Sequence, residues 1–112
     1  MDAAPVWVHN VCLFGASTDR KFRKHAREIY RAAEENGTII SRGDKGGMRT
    51  YISRIVTDTY KRNSSPFEWN GILVNGYVKG NSIILVRENG EFLTHLTKTQ
   101  NVSSLLIREL GL

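Results

Sequence analysis

The segment from Asp19 to Glu35 constrains the fold most, because its apolar residues recur with the period of an α-helix. These residues are spaced four, three, one and three positions apart, and they are Phe22, Ala26, Ile29, Tyr30 and Ala33. Such a stripe indicates an amphipathic helix. Asn36-Gly37 predicts its end, since glycine tolerates the left-handed conformation that often closes a helix. The sequence therefore predicts a helix with one apolar face over residues 19–35.

Short β-branched segments precede this helix and a second one. Pro5–Phe14 is rich in valine and aromatic residues, which predicts a strand, and Thr38–Ser41 predicts another. Between residues 48 and 59 the helical spacing of apolar residues returns and predicts the second helix. Strands that alternate with helices favour a parallel βαβ unit at the start of the fold.

The second half of the chain is richer in strand and turn signals. Ile72–Val74 and Ser82–Val86 predict short strands, and Asn89-Gly90 predicts a hairpin turn into a strand over Glu91–Leu96. Ser103–Leu110 predicts a short closing helix. The predicted fold is a single α/β domain over residues 1–112. It has a small Rossmann-like sheet in two or three layers, in the order β-α-β-α-β-β-(β)-α, and the later strands form an antiparallel edge.

The positive charge of the chain is concentrated in its first half. The formal net charge is +5, and residues 1–62 hold 12 of the 16 basic and 7 of the 11 acidic side chains, so the whole excess lies there. This distribution indicates an anionic partner that contacts the first half, whereas the alternative is a merely solvated basic surface.

The remaining composition limits the classes of function. No apolar run is long enough for a membrane span and no secretory signal is visible, so we expect a cytoplasmic protein without a membrane partner. The single Cys12 fits a reducing compartment. His9, His25 and His95 lack the spacing of metal ligands, and no cofactor motif is present. The sequence offers no catalytic residue.

The turn GASTDRKFRK is the first candidate binding site. Basic residues fill the first turns of the predicted helix, although the helix dipole favours acids there by about 0.3–1 kcal/mol each. A bound anion would explain the placement, since it gains from the cations and from the unpaired N–H groups. The alternative is that acids elsewhere in the fold compensate. The candidate residues are Gly15, Ser17, Arg20, Lys21 and Lys24.

The stretch SRGDKGGMR is the second candidate site, because it occupies the same position before the second helix. Its glycines permit a backbone that turns several N–H groups toward one ligand, and its bases add charge. If the first two strands are parallel neighbours, one phosphate-bearing ligand could touch both turns. The candidate residues here are Arg42, Gly43, Lys45, Gly46, Gly47 and Arg49.

A family resemblance rests on these two turns. VCLFGAS, a helix, IISRGDKGGM and another helix resemble the nucleotide-binding domains of Lonely Guy phosphoribohydrolases and of DNA-processing protein A, in the SLOG superfamily, over about residues 8–60. The resemblance implies a phosphate-binding loop at Gly15, Ser17, Gly43, Gly46 and Gly47. The second hydrolase motif, Pro-Gly-Gly-x-Gly-Thr-x-x-Glu, has no counterpart here, so the hydrolytic activity is not implied.

These observations predict a domain that binds a nucleotide or the backbone of a nucleic acid. DNA or RNA would use the basic faces of both helices, Arg20 to Arg31 and Arg49 to Arg62. The aromatic residues Phe67, Trp69 and Tyr77 could stack on bases or belong to the core or an interface. Two alternatives are a protein-interaction module that forms a homo-oligomer through its later strands and, less favoured, a minimal nucleotide hydrolase.

Overall fold

A computed structural model of the protein describes residues 13–15, 17–99 and 102–112. Within these residues the chain forms two long helices, a four-stranded sheet and a short final helix. The elements are α1 (Thr18–Glu35), α2 (Lys45–Asp58), β1 (Phe67–Trp69), β2 (Ile72–Lys79), β3 (Ser82–Arg87), β4 (Phe92–Thr97) and α3 (Ser104–Leu110).

The sheet is an antiparallel meander in which each strand pairs with the next along the chain. Tight turns connect the strands, and residues with positive φ occupy them: Asn70 and Gly71 between β1 and β2, Gly80 before β3 and Gly90 before β4. A bulge in the β3–β4 pairing lies between Leu85 and Val86. Local hairpin turns therefore fix the order of the sheet.

Strand β3 is buried along nearly its whole length, which shows that the sheet is covered on both faces. Side chains on one face of the sheet, including Ile84 and Phe92, pack with Phe22 of α1 and Ile52 of α2. Those on the other face pack with α3 through a second cluster that comprises Phe67, Val74, Val78, Ile83, Leu85, Leu93, Leu106 and Leu110. The layers are thus two helices, the sheet and one short helix.

The prediction of a small α/β fold is confirmed, but the Rossmann-like order is not found. In the described residues the order is α-α-β-β-β-β-α, and all strand pairs are antiparallel. Thr38–Ser41 was predicted as a strand and is instead an unpaired connection in which Ile39 is 86% exposed. The β propensity of such residues depends on a place in a half-buried pleated sheet, and among the described residues this segment joins no sheet, although Ile40 packs against the core.

The predicted helices and the predicted strands of the second half of the chain fall close to their predicted positions. The predicted first strand, Pro5–Phe14, lies outside the described residues except for Leu13 and Phe14, which form a turn and a bend. Strand β1 was not predicted. Helix α3 begins where expected, since Ser103 Oγ accepts a hydrogen bond from the N–H of Leu106, and it ends at Gly111 in the left-handed conformation.

Gly76 of β2 gives a test of the packing between the sheet and α3. A Cβ at this position would overlap Cδ2 of the buried Leu110. The overpacking cost of about 1–3 kcal/mol exceeds the roughly 0.5–1 kcal/mol that glycine costs within a strand. We therefore expect Gly76→Ala to lower the free energy of unfolding in urea.

Gly46→Ala is the matched control for this prediction. Gly46 lies in the first turn of α2, and its added Cβ would make only an ordinary contact with Asp44. We expect a gain of up to about 1 kcal/mol from helix propensity. A Gly76→Ala variant as stable as the wild type would contradict the described contact with α3.

Candidate functional site

The starts of α1 and α2 lie side by side and are joined by an acidic residue. Asp19 Oδ1 accepts a hydrogen bond from Nη2 of Arg49 at 2.7 Å, and its Oδ2 lies 3.6 Å from Nζ of Lys45. The first turns of the two helices are therefore adjacent. Two of the predicted ligand-binding cations, Lys45 and Arg49, are paired with a carboxylate of the protein itself.

Acidic side chains also occupy the two predicted loops. Asp44 is the N-cap of α2, and its Oδ1 accepts the N–H of Gly47 at 2.9 Å. Gly46 and Gly47 belong to the first turn of α2. A Cβ on Gly15 would overlap Glu91 Oε2, so that carboxylate lies directly against Gly15. Carboxylates therefore stand where a bound phosphate was predicted, at both turns.

Ser17 and Lys21 take part in the start of α1 in different ways. Ser17 is the exposed N-cap residue, and its side chain makes no capping hydrogen bond to the described residues. Lys21 donates a hydrogen bond from Nζ to the carbonyl oxygen of Phe92 at 3.1 Å. Burial lowers the pKa of Lys21, Arg87 adds to the lowering, and Glu91 opposes both. Lys21 thus ties α1 to β4.

The outer side of α1 carries a row of cations, here called the basic face. Its members are exposed, and none lies within 4.0 Å of a carboxylate among the described residues. They are Arg20, Arg23, Lys24, Arg27 and Arg31. At 1.5 Å of rise per residue the row is about 16 Å long. It includes the predicted Arg20 and Lys24 and the neighbouring Arg23 of the same turn, whereas Arg27 and Arg31 were proposed only for the nucleic-acid alternative.

The glycine-rich connection adds Arg42 to this surface. The N–H of Gly43 donates to the hydroxyl of Tyr30 at 2.6 Å, and Gly43 has a φ of +79°, which suits glycine. This contact holds the connection against α1. The result is an open groove of about 620 Å³, lined by Arg23, Lys24, Ala26, Arg27, Tyr30, Arg42 and Gly43. The predicted Arg42 and Gly43 therefore lie beside the basic face.

The inner side of α1 carries a partly buried acid between two histidines. Glu28 Oε1 lies 2.8 Å from Nδ1 of His25, and its Oε2 lies 3.3 Å from Nδ1 of the fully buried His95 on β4. Because a carboxylate only accepts, both imidazoles donate from Nδ1. Burial alone would raise the pKa of Glu28, but the hydrogen bonds from His95 and His25 and the electrostatic attraction of the two rings together outweigh burial and lower it. Glu28 is therefore held as a carboxylate.

The hydrogen-bond chain continues from His95 across the sheet to α2. His95 Nε2 lies 2.8 Å from Oγ of Ser82, which lies 2.6 Å from the hydroxyl of Tyr51. Nδ2 of Asn36 donates to that hydroxyl at 2.8 Å and to the carbonyl of Lys79 at 3.1 Å. Ser82 and His95 have no exposed surface, so this Ser-His-Glu arrangement cannot reach a substrate. It joins α1, α2 and the sheet.

Sequence reasoning did not find this network, because its members are far apart along the chain. Glu28, Ser82 and His95 meet only through the β3–β4 pairing and the docking of α1. The structure also bears on whether the aromatic residues stack on bases or belong to the core. Phe67 is buried, and Tyr77 packs against the core under the two long helices. Burial raises the pKa of Tyr77. The core interpretation fits these two residues better than base stacking does.

Comparison with known proteins assigns no family. No protein-family model, curated protein or solved structure matches the chain. The SLOG resemblance therefore stays a prediction. Over residues 13–15, 17–99 and 102–112, no cluster of three or more histidine, cysteine or acidic residues could hold a metal ion. None of the helices in this part of the chain has both the length and the apolar character needed to cross a bilayer.

Replacement of Glu28 tests whether its contacts stabilise the fold. We expect Glu28→Gln to lower the free energy of unfolding by about 1–3 kcal/mol at neutral pH, because a buried imidazole N–H loses its charged acceptor. Folding lowers the pKa of Glu28 below 4.5, so the contribution of its carboxylate is complete above that pH and is lost as the pH falls through the folded-state value.

The measurement is urea unfolding of both proteins across the acid range. The wild type should approach the variant in stability at low pH. Glu35→Gln, at an exposed position on the last turn of α1, is the control and should change little. A stability difference between wild type and Glu28→Gln that does not depend on pH would contradict the assigned role of the carboxylate.

Proposed function

We propose that this protein binds the phosphate backbone of a nucleic acid on the basic face of α1 and in the groove beside Arg42. The observation that carries the proposal is the row of exposed cations without carboxylate partners among the described residues. Protein side chains that neutralise phosphates release condensed counterions, and this release drives non-specific binding.

The length of the row favours a polymer over a single nucleotide. One strand of a duplex carries a phosphate every ~3.4 Å of helix axis, and the phosphates wind around that axis, so a straight row about 16 Å long faces a few successive phosphates. A mononucleotide would offer its phosphates to only one or two of the five cations. The basic face therefore suits an extended chain of charges.

The charge at the helix starts also argues against a free nucleotide there. A phosphate at those turns would compete with Asp19 for Lys45 and Arg49, and with Asp44 for the N–H of Gly47. It would also lie close to Glu91, which stands against Gly15. Repulsion between these carboxylates and a phosphate disfavours the predicted nucleotide site, while among the described residues no carboxylate lies within 4.0 Å of a cation of the basic face.

The double variant Arg23→Gln/Arg27→Gln tests the proposal. We expect weaker binding to short oligonucleotides. The slope of log affinity against log salt should become shallower by about 0.7–0.9 for each phosphate that the variant no longer neutralises, because fewer counterions are released on binding. Fluorescence anisotropy between about 50 and 200 mM salt measures both the affinity and the slope.

Arg108→Gln, which removes one cation against the two of the double variant, is the control, because Arg108 lies on α3, on the opposite side of the sheet. It should leave the slope unchanged. The proposal is overturned if neither DNA nor RNA binds, or if the control weakens binding as much as the double variant does. Absence of nucleic-acid binding together with a self-associating protein would favour the protein-interaction alternative.

A further inference from the structure

A second groove lies next to the open groove beside Arg42, and Tyr30 lines both of them. The groove beside Arg42 is here called the large groove. The second one, here called the small groove, has a volume of about 280 Å³ and is lined by Arg27, Tyr30, Arg31, Glu34, Ile39 and Ile40. The Tyr30 hydroxyl accepts the N–H of Gly43, so this side chain reaches from α1 to the glycine-rich connection. Tyr30 therefore forms part of the wall between the two grooves.

The small groove combines apolar residues with exposed cations. Ile39 is 86% exposed, and Tyr30 and Ile40 lie partly buried against the core. Arg27 and Arg31 of the basic face line the same groove. A single exposed apolar residue needs no explanation, but one that shares a groove with an aromatic ring and two arginines matches the surfaces that bind single-stranded nucleic acids. Such surfaces stack bases on aromatic rings and hold the backbone by positive charge.

The charges of the two grooves differ, and this difference decides where a phosphate and a base would lie. Among the described residues no acid lines the large groove, and its cations are Arg23, Lys24, Arg27 and Arg42. It therefore suits phosphates. The small groove includes Glu34, whose carboxylate repels a phosphate but not an uncharged base. The small groove lies just below the roughly 300–1,000 Å³ of sites for drug-sized ligands, so it suits a group as small as one base.

We infer that the small groove holds one unpaired base of a single-stranded nucleic acid, stacked on the ring of Tyr30, with the neighbouring phosphates on the cations of the large groove. The inference rests on the proposed function and adds the class of nucleic acid. The bases of a duplex are paired and stacked on one another, so only a single strand can place a base on this ring without the cost of unpairing it.

The experiment compares oligodeoxythymidine with an abasic chain of the same length, which has the same sugar-phosphate backbone but no bases. Fluorescence anisotropy at one salt concentration measures each affinity. Because both chains carry the same phosphates, the basic face contributes equally to both. We expect the bases to raise the affinity roughly five- to 150-fold, the effect of one stacked base.

Two variants test the assigned contacts. Tyr30→Leu keeps an apolar side chain against the core but offers no aromatic face, so it should reduce the advantage of the thymidine chain toward unity and leave the affinity for the abasic chain unchanged. Ile39→Ser should also reduce this advantage, and it should change the melting temperature little because Ile39 is exposed.

Two further variants are the controls. Tyr30→Phe retains the ring and loses only the hydrogen bond with Gly43, so it should keep the advantage of the thymidine chain. Tyr60→Leu removes a tyrosine that is 92% exposed and lines neither groove, so it should keep the full advantage as well.

Each outcome bears on one of the two proposals. Equal affinity of the wild type for the thymidine and abasic chains overturns this inference and leaves the proposed function intact, as does a folded Tyr30→Leu variant that keeps the full advantage. A Tyr30→Leu variant that weakens both chains equally, or a Tyr60→Leu variant that loses the advantage, also overturns the assignment of stacking to Tyr30. Failure of both chains to bind overturns the proposed function itself.

Discussion

The contact of Glu28 with His95 on the sheet, together with the burial of Phe22 and Ile29, fixes which side of α1 faces the sheet, and the rest of the surface follows from that orientation. Glu28 is the only acid in the first three turns of α1 besides Asp19, and both are directed into contacts with the protein: Glu28 toward β4 and Asp19 toward α2. With these two acids used in this way, the outer side of α1 from Arg20 to Arg31 carries bases, and the exposed acids Glu34 and Glu35 lie only in the last turn. One partly buried carboxylate thus separates the charges of α1 into two faces.

The same separation explains why the helix starts are poor sites for an external anion. An anion near a helix N-terminus gains from the dipole and from unpaired N–H groups, and the side chains of Asp19 and Asp44 already provide that negative charge. The basic residues of SRGDKGGMR then divide by partner: Lys45 and Arg49 neutralise Asp19, while Arg42 remains exposed beside the groove. The number of charges in a sequence segment does not show which cations pair with an acid of the protein and which stay exposed.

Patterns with a local cause were predictable from the sequence, and those that depend on distant pairing were not. The period of α1, the cap of α3 by Ser103 and the turn at Asn89-Gly90 each follow from interactions within a few residues. The assignment of Thr38–Ser41 to a strand required a neighbouring strand that the described part of the fold does not supply. Likewise, Asp19 neutralises Arg49, and Ser82 meets His95, only after the helices have docked on the sheet.

The basic face lowers the stability of α1, the helix that carries it. A polyanion bound to this face would therefore stabilise α1. Arg20 and Lys24, and likewise Arg27 and Arg31, are like charges four residues apart, which destabilise a helix by about 0.2–0.5 kcal/mol for each pair. Bases near the N-terminus of α1 also oppose its dipole. A bound polyanion screens both repulsions while the contacts of Glu28 with the two histidines stay unchanged. Binding is therefore coupled to the stability of α1 through charge alone, and it needs no change in the packing of the core.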